Sequence, residues 1–277
     1  MPDLRFLTEP GVEPEQPSLA RIADWLLGGT QNWAVDRAAG EQLTAMNPEV
    51  RDLLRESRLF AQRAVAYALR AGVRQFVDVG SGLPTRGCVH EVADQTTGGH
   101  DATVVYVDID PVAVAHADLL LRKNGDPTRQ HAVAGDLLDS EGLWRRLAGD
   151  GLIDPERPVC LLVTALLHFI KDEMEPARHL AHHRSRLAPG SLLVLSQSTD
   201  EGVANSRLEA QAAEFHQREN PGQMRGRAEL AAFFGDFDLA EPGITFTPEW
   251  QPSLGERSPF ADDPAGSQQI GGLGRKP

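Results

Sequence analysis

Apolar side chains recur at three- and four-residue spacing through the first quarter of the chain, which is the spacing of one buried helix face. This pattern predicts one helix that ends at Gly28-Gly29 and a longer helix that begins at Pro48 and ends at Ala71-Gly72. Asp36 is expected to cap a short helix between these two. Residues 18–72 are therefore predicted to form a helical cap segment that precedes the first strand.

Residues 73–277 alternate short apolar runs with helical spacing, as successive βα units do. This pattern predicts one α/β domain. The predicted strands cover residues 75–79, 103–107, 131–134, 159–163, 191–196, 237–241 and 269–273. The later predicted helices cover residues 173–187, 203–218 and 227–234. A Pro/Gly/Asp-rich connection, residues 247–267, is expected to be a surface loop or flap.

Composition and charge narrow the class of protein. Residues 1–17 are rich in Pro and Glu, which predicts a flexible tail and does not fit a secretory signal. No stretch approaches the roughly 20 apolar residues that cross a bilayer. The net charge of −13 argues against a nucleic-acid surface and favours a small-molecule partner. Cys88 and Cys160 have no metal-ligand spacing, so free thiols in a reducing cytoplasm are expected, and a homodimer is left open.

The first predicted strand runs directly into Gly80-Ser81-Gly82, which is too flexible to continue a strand. A strand, a glycine turn and a helix form a nucleotide pocket in open α/β sheets, because a ligand can approach the backbone closely. The dinucleotide motif requires a third glycine at position 85, which is Thr85 in this chain. The turn therefore predicts nucleotide binding but weakens an NAD interpretation.

Acidic residues lie at or near the carboxyl ends of the first three predicted strands. Asp108 ends the second strand, where a carboxylate can accept both hydroxyls of a ribose, while Asp110 is placed to cap the next helix. Asp136 follows the third strand, where it could accept a bond from the exocyclic amine of an adenine. Asp78 precedes the glycine turn; its carboxylate would hold a cationic amine or accept backbone N–H groups.

Histidines supply the other candidate chemistry. His168 follows the fourth strand and could be a general base, a donor that orients a substrate, or a hydrogen-bonded wall residue. His179 and His183 share a helix face, for which a solvated or dipole-complementing role is favoured over a metal site. We expect no metal. Ser81 lacks the frame of a nucleophile elbow, which argues against a hydrolase triad.

Four motifs together resemble class I S-adenosylmethionine-dependent methyltransferases: Asp78-Val-Gly-Ser-Gly82, Tyr106-Val-Asp-Ile-Asp110, Ala134-Gly-Asp136 and Leu187-Ala-Pro-Gly-Ser-Leu-Leu-Val194. A narrower resemblance is to the bacterial family named S-adenosyl methyltransferase, formerly a domain of unknown function. It rests on residues 26–36 and 76–85, on Leu167-His-Phe169 and on the ending Gly271-Gly-Leu-Gly-Arg-Lys-Pro277. The resemblance covers the chain from about residue 19 onward.

The resemblance implies a Rossmann-like sheet of seven strands in the order 3-2-1-4-5-7-6, with strand seven antiparallel, and S-adenosylmethionine as the cofactor. It implies that the glycine turn borders the methionine part of the cofactor and that Asp108 and Ile109 border the ribose. Asp136 and Leu137 would border the adenine.

The resemblance implies that the N-terminal helical segment, including Asn32 and Trp33, covers the pocket. Thr164 and Phe169 are further candidates for the substrate side or lid, and from its position after the fourth strand His168 is the candidate base or orienting residue. Two departures concern the same region. The family usually has Tyr at the position of Trp25, and Lys-Asp-Asn-Phe where this chain has Thr30-Gln31-Asn32-Trp33. Specificity would differ if these residues touch the substrate.

The sequence therefore predicts a methyltransferase that acts on a small-molecule acceptor and binds S-adenosylmethionine through residues 73–277. An NAD(P)-dependent oxidoreductase shares the glycine turn and the acid after the second strand. A protein that binds the cofactor without catalysis is a further alternative, because the sequence around Thr30-Gln31 is altered. Binding tests with both cofactors and a broad acceptor screen distinguish the three.

Overall fold

The structure is a computed structural model that describes residues 16–98, 101–202 and 223–277. Nearly all of the predicted tail and the helix predicted over residues 203–218 lie outside these ranges.

The strands of the described residues form one sheet in the order β3-β2-β1-β4-β5-β8-β6, and β7 also pairs with β8. The strands are β1 (Gln75–Val79), β2 (Thr103–Asp108), β3 (Gln130–Ala134), β4 (Val159–Val163), β5 (Leu192–Ser198), β6 (Asp238–Leu239), β7 (Thr245–Phe246) and β8 (Gln269–Arg275). The pairs among β1 to β5 are parallel. Parallel strands with apolar runs are buried on both faces, as the sequence pattern predicts.

The two-residue strands β6 and β7 pair with opposite halves of the outer edge of β8. They thus share one position in the sheet, which gives the predicted order of seven positions. β8 is antiparallel to β5 over seven residue pairs, from Leu192–Arg275 to Ser198–Gln269. The predicted antiparallel last strand is confirmed. β7 was not predicted, because two residues are too few to show a period.

The helices of the described residues lie on both faces of the sheet. They are α1 (Leu19–Leu26), α2 (Ala34–Met46), α3 (Val50–Arg70), α4 (Val89–Thr97), α5 (Pro111–Asn124), α6 (Ser140–Gly149), α7 (Pro176–Arg186) and α8 (Arg227–Ala232). Asp36 caps α2 from its third residue, where its carboxylate accepts the Trp33 backbone N–H at 2.8 Å. The predicted N-terminal helical segment therefore corresponds to α1, α2 and α3.

Side chains alternate between two apolar layers along each central strand. Val77, Val105 and Leu161 face a layer that includes α6, α7 and the residues around α8. Phe76 and Cys160 face the other layer, which includes α3 and α4. The cap helices α1 and α2 have a small cluster of their own, formed by Ile22, Leu26 and Ala39. The sheet is therefore the rigid centre on which the site is built.

Residues 247–267 form a largely exposed connection, as the predicted surface loop would, and are attached to α3 at one end. Arg63 of α3 is buried and donates to the carbonyl oxygens of Trp250 at 2.9 Å and Thr247 at 2.7 Å. Its guanidinium also pairs with the buried Glu56 at 2.8 Å. The indole of Trp250 is buried with its ring centre 5.5 Å from that of Phe60. These contacts connect the segment to the core.

Cys88 and Cys160 are both buried free thiols. Among the described residues, the helices are all too short or too polar to span a bilayer.

Candidate cofactor and active site

A cleft of about 480 Å³ lies at the carboxyl ends of β1, β2 and β4, beneath α1 and beside α3. This is the edge at which open α/β sheets bind ligands. Ten of the predicted site residues line the cleft: Asp78, Gly80, Ser81, Gly82, Asp108, Ile109, Asp136, Leu137, Thr164 and Phe169. His168, Asn32 and Trp33 do not line it. The geometry therefore joins the predicted cofactor residues and separates three of those predicted for the substrate side.

The glycine turn is held by β2. The backbone N–H groups of Gly80 and Ser81 both donate to the Val107 carbonyl, at 2.8 and 3.1 Å. Gly80 has φ of +72°, and a Cβ atom there would lie 2.8 Å from the side chain of Leu166. Gly82 has φ of +60°. Both positions therefore require glycine, which leaves exposed backbone along the floor of the cleft.

Asp108 connects the turn to the end of β2. Its carboxylate accepts the backbone N–H of Gly82 at 2.8 Å and that of Asp110 at 3.0 Å. Burial raises the pKa of Asp108, and these N–H groups oppose that shift. A carboxylate has about four lone-pair positions, so two hydrogen bonds leave acceptor capacity toward the cleft. Asp110 instead caps α5 by accepting the Val112 N–H at 2.8 Å, as predicted.

Asp78 places a second carboxylate in the floor of the cleft. The residue is only 7% exposed and has no hydrogen bond or ion pair with any described residue. Burial raises its pKa to about 7; the positive charge of Arg58 opposes the shift, and Asp108 adds to it. A buried carboxylate without a protein donor is costly when it is charged, so the site favours a cationic ligand group.

The side of the cleft that follows β3 is formed by Asp136, Leu137 and the half-exposed Ile109. One oxygen of Asp136 accepts the Leu138 backbone N–H at 2.8 Å, which leaves the other oxygen available. Leu137 is buried, and its carbonyl oxygen accepts a hydrogen bond from Nε2 of His183 at 2.9 Å. Ile109 is 53% exposed and presents an apolar side chain to the cleft. This combination of apolar surface and a free acceptor suits an adenine ring.

His183 corrects the interpretation of the histidine helix. It is fully buried and not solvated, and it accepts a hydrogen bond of 2.8 Å from the indole N–H of Trp144. Its two ring nitrogens therefore hold α6 and the backbone of Leu137 together. Burial lowers the pKa of His183 to about 4, so the ring is neutral. The i,i+4 spacing found the shared helix face but could not show that this face is the buried one.

His168, predicted as a base, an orienting donor or a wall residue, is half-buried and is not among the residues that line the cleft. Nδ1 is shielded from solvent and has no hydrogen-bond partner among the described residues. Burial lowers the pKa of His168 to about 4, and the nearby charge of Arg225 lowers it further. The ring packs on Phe169 with 4.2 Å between centres. Phe169 is the residue of this turn that faces the cleft.

Arg225 holds the turn that carries His168 and Phe169. Its buried guanidinium donates to the carbonyl oxygens of Leu167 at 3.0 Å and Ile170 at 2.7 Å. It also pairs with Asp172 at 2.7 Å. No local sequence pattern marks Arg225, because Leu167, Ile170 and Asp172 all lie more than 50 positions away from it.

Thr164 and Ala165 follow β4 and line the cleft between this turn and the glycine turn. Ala165 has φ of +52°, in the left-handed region that favours glycine. Its N–H donates to the backbone oxygen and to the hydroxyl oxygen of Ser196, each at 3.1 Å. Left-handed backbone in a non-glycine residue is concentrated at binding sites, where the surrounding structure holds it.

Asn32 and Trp33, which were predicted to cover the pocket, do not line the cleft, and their side chains contact other residues of the cap. The Asn32 amide donates to Asp24 at 2.9 Å and to the Gly29 carbonyl at 3.0 Å. The Trp33 ring covers the guanidinium of Arg21 at 4.0 Å. These residues therefore fix the loop between α1 and α2. The covering role belongs to α1, whose Leu19, Ala20 and Ala23 line the cleft.

The cap makes two side-chain hydrogen bonds to the opposite wall of the cleft. The hydroxyl of Ser18 donates to Asp110 at 3.1 Å. Gln31 Oε1 lies 3.1 Å from Nε2 of His116 on α5. Gln31 is one of the positions at which this chain departs from the family pattern. The residue that differs from the family pattern is therefore one that attaches the cap to α5.

Cys88, His90 and Glu91 form a group of potential metal ligands, with donor atoms within 4.8 Å of one another. Each already has a protein contact. Nδ1 of His90 lies 2.8 Å from the Tyr106 hydroxyl and 3.4 Å from the Cys88 sulfur. Glu91 accepts the Gly87 N–H at 2.7 Å. Burial raises the pKa of Cys88 to about 11. These contacts explain the cluster without a metal.

The cleft fits S-adenosylmethionine on three separate observations. The glycine turn exposes its backbone to the cleft, since Gly80 leaves no room for a Cβ atom. The Asp108 carboxylate retains acceptor capacity that ribose hydroxyls could use. The buried carboxylate of Asp78 has no hydrogen-bond donor among the described residues. Ile109, Asp136 and Leu137, predicted to border the ribose and the adenine, line the same cleft. The residues predicted for adenine, ribose and amino acid follow β3, β2 and β1, which are neighbours in the sheet in that order.

Comparisons with known proteins agree with this geometry. A candidate methyltransferase from Thermobifida fusca is 34% identical, over 96% of this chain and 97% of that one, with a TM-score of 0.81. A DUF574 family protein from Streptomyces avermitilis is 32% identical, over 95% and 98%, with a TM-score of 0.80. The mitomycin 7-O-methyltransferase MmcR is 20% identical, over 93% and 68%, with a TM-score of 0.50, and shares the fold alone. No curated protein sequence matches the chain significantly.

The sheet order and the antiparallel β8 define the class I methyltransferase fold. The model of the S-adenosyl methyltransferase family matches residues 7–277, so this chain belongs to that family.

Proposed function

We propose that this protein transfers a methyl group from S-adenosylmethionine to a small-molecule acceptor. The observation that carries the proposal is the carboxylate of Asp108. It is fixed by two backbone N–H groups, including that of Gly82 in the glycine turn, and still faces the cleft. A carboxylate held in this way accepts ribose hydroxyls without reorganising. Family membership supports the same cofactor.

The bound cofactor would supply an electrophilic methyl group on a sulfonium, which reacts with a nucleophile in line with the breaking S–C bond. The protein then needs mainly to align the acceptor and exclude water. The residues placed for that work are Phe169 and Met174, which are 36% and 47% exposed, together with Leu166 and Ile170. This apolar wall supports an acceptor with an apolar or aromatic body.

The size and charge of the protein support a small acceptor over a polymer. A cleft of about 480 Å³ is within the range of small-molecule sites. The net charge of −13 opposes binding of nucleic acid. We also propose a reducing, cytoplasmic setting, because both cysteines are free thiols.

Calorimetric titration with S-adenosylhomocysteine tests the cofactor. Saturable binding at one site is expected, with no comparable binding of NAD⁺ or NADP⁺. A preference for a nicotinamide dinucleotide would contradict the proposal. Turnover is then measured as S-adenosylhomocysteine release with a panel of phenols, amines, thiols and carboxylic acids. Binding without turnover of any acceptor would favour a non-catalytic S-adenosylmethionine-binding protein.

A further inference from the structure

Arg58 lies on the α3 side of the cleft without an ion pair or hydrogen bond to any described residue. The side chain is half-buried, so it loses part of its hydration without a protein partner in return. Its neighbours on the same helix differ. Arg63 is buried with three partners, and Arg55 pairs with Glu256 at the surface, at 3.3 Å. An arginine that lines a cleft without a partner is placed for an anion.

The stem of Arg58 is positioned over the segment that leads into α4. Gln62, one turn further along α3, donates to the Gly87 carbonyl at 3.0 Å. A Cβ atom at Gly87 would lie 2.0 Å from the Gln62 amide and 3.9 Å from Cγ of Arg58. Both side chains therefore pack over a glycine with φ of +67°. This packing places the stem of Arg58 beside Gly87, and the charge of Arg58 acts on Asp78 in β1 and on Cys88 before α4.

Asp78 lines the same cleft as Arg58 and is also without a hydrogen bond or ion pair among the described residues. The two charges do not form a direct ion pair, although each influences the other, since Arg58 counteracts the rise in the pKa of Asp78. Oppositely charged groups that stay apart in one cleft leave room for a ligand that carries both charges. The α-ammonium and α-carboxylate of an amino acid have that arrangement.

We propose that Arg58 and Asp78 together bind the amino-acid end of the cofactor, with Arg58 on the α-carboxylate and Asp78 on the α-ammonium. This inference rests on the proposed function, and it adds Arg58 as a specificity-determining residue. The planar guanidinium can donate two parallel hydrogen bonds to a carboxylate. The pair therefore selects the complete cofactor over adenosine derivatives that lack the carboxylate. It also leaves Phe169 and Met174 for the acceptor.

Calorimetry with two ligands tests the inference: S-adenosylhomocysteine and its decarboxylated analogue, which keeps the amine. The wild-type protein should bind the complete ligand at least about tenfold more tightly. Arg58→Met should lower the affinity for S-adenosylhomocysteine by roughly 10- to 100-fold. Its affinity for the analogue should stay within about twofold of that of the wild type. Arg58→Lys should fall between, because it keeps the charge but loses the paired geometry. Arg55→Met, one turn earlier and directed outward, is the matched control and should change neither affinity.

Equal binding of both ligands by the wild-type protein would overturn the inference, and this comparison needs no variant. An equal loss for both ligands in Arg58→Met, with the fold intact by circular dichroism, would also overturn it. In either case S-adenosylhomocysteine still binds, so the proposed function stands. Absence of binding of both ligands to the wild-type protein would overturn the proposed function and this inference together.

Discussion

The carboxylate of Asp108 accepts the backbone N–H of Gly82 at 2.8 Å, which joins the end of β2 to the glycine turn after β1. The two residues are 26 positions apart in the chain. The features that define the ribose side and the methionine side of the cleft therefore form one unit. A change at Asp108 should affect both.

Replacement of Asp108 by alanine should lower the affinity for S-adenosylhomocysteine by at least roughly tenfold. Hydrogen bonds to a charged acceptor contribute about 1.5–3 kcal/mol each at most, and two ribose hydroxyls would lose theirs. Calorimetry gives the affinity, and circular dichroism checks the fold. Asp118→Ala is a suitable control, because Asp118 lies on α5 and pairs with Arg122 at the surface. Unchanged affinity in Asp108→Ala would contradict the ribose assignment.

Asp78 should make the unliganded protein less stable as the pH rises. Its pKa is about 7 in the folded protein and 3.8 without burial, so the folded state binds the proton more tightly. Its contribution to stability is complete below about pH 4 and is lost as the pH rises through 7. Asp78→Asn should therefore be more stable than the wild type at pH 8, by on the order of 4 kcal/mol at most, with little difference near pH 4.

Urea unfolding of both proteins between pH 4 and pH 8 measures this difference. A difference that does not vary with pH would contradict the assignment. Ligand affinity should change in the opposite direction, because a cationic ligand group needs the charged carboxylate. S-adenosylhomocysteine should thus bind the wild type more tightly at pH 8 than at pH 5, and Asp78→Asn should lose most of that dependence.

His183 should make the protein sensitive to acid. Its pKa is about 4 when folded and 6.5 when unfolded, so its stabilising contribution is present above pH 6.5 and is lost as the pH falls toward 4. His183→Phe leaves the Trp144 indole N–H and the Leu137 carbonyl unpaired. The substitution should lower the free energy of unfolding by about 1–3 kcal/mol at pH 7.5. The difference from the wild type should shrink between pH 6.5 and pH 4.

Thermal or urea unfolding at several pH values follows this effect. His182→Gln, a change of the neighbouring half-exposed histidine, should leave the pH profile close to that of the wild type. If His183→Phe retained the full acid sensitivity of the wild type, the assignment to this ring would be wrong.

Arg63→Met should destabilise the protein by roughly 3–5 kcal/mol, because it leaves the buried Glu56 carboxylate without its partner. It also removes the donors to Trp250 and Thr247, so residues 247–267 should lose their attachment first. Urea unfolding gives the stability, and proteolysis reports the loop. Arg55→Met breaks only an exposed ion pair, so its free energy of unfolding should stay within about 0.5 kcal/mol of that of the wild type. A small effect of Arg63→Met would mean that the loop is held by other contacts.

The sequence predicted the sheet, and the residues it predicted for the cofactor line one cleft, because both depend on local patterns. A βα unit repeats its apolar run, and parallel strands bring their ends to one edge, so Asp108 and Asp136 could be placed there from their positions alone. Local capping chemistry likewise assigned Asp110 to the start of α5. Each of these predictions uses residues within a few positions of one another.

Contacts between distant parts of the chain could not be predicted in this way. Arg63 and Trp250 are 187 positions apart, and no periodicity signals their hydrogen bond. For the same reason Arg58 gave no signal, since its significance depends on the charged groups across the cleft. The sequence also could not show that the side chains of Asn32 and Trp33 contact Asp24 and Arg21 within the cap, because a loop beside a pocket can use its polar groups internally.

The Ser18–Asp110 hydrogen bond joins the start of α1, which covers the cleft, to the start of α5, which follows Asp108. A ligand that touches both α1 and the strand ends adds contacts across the same gap. Local opening of the cap should therefore cost more free energy when the cleft is filled. Amide hydrogen exchange in α1 would slow on binding, so the N-terminal helix reports occupancy of a site whose main binding groups belong to the sheet.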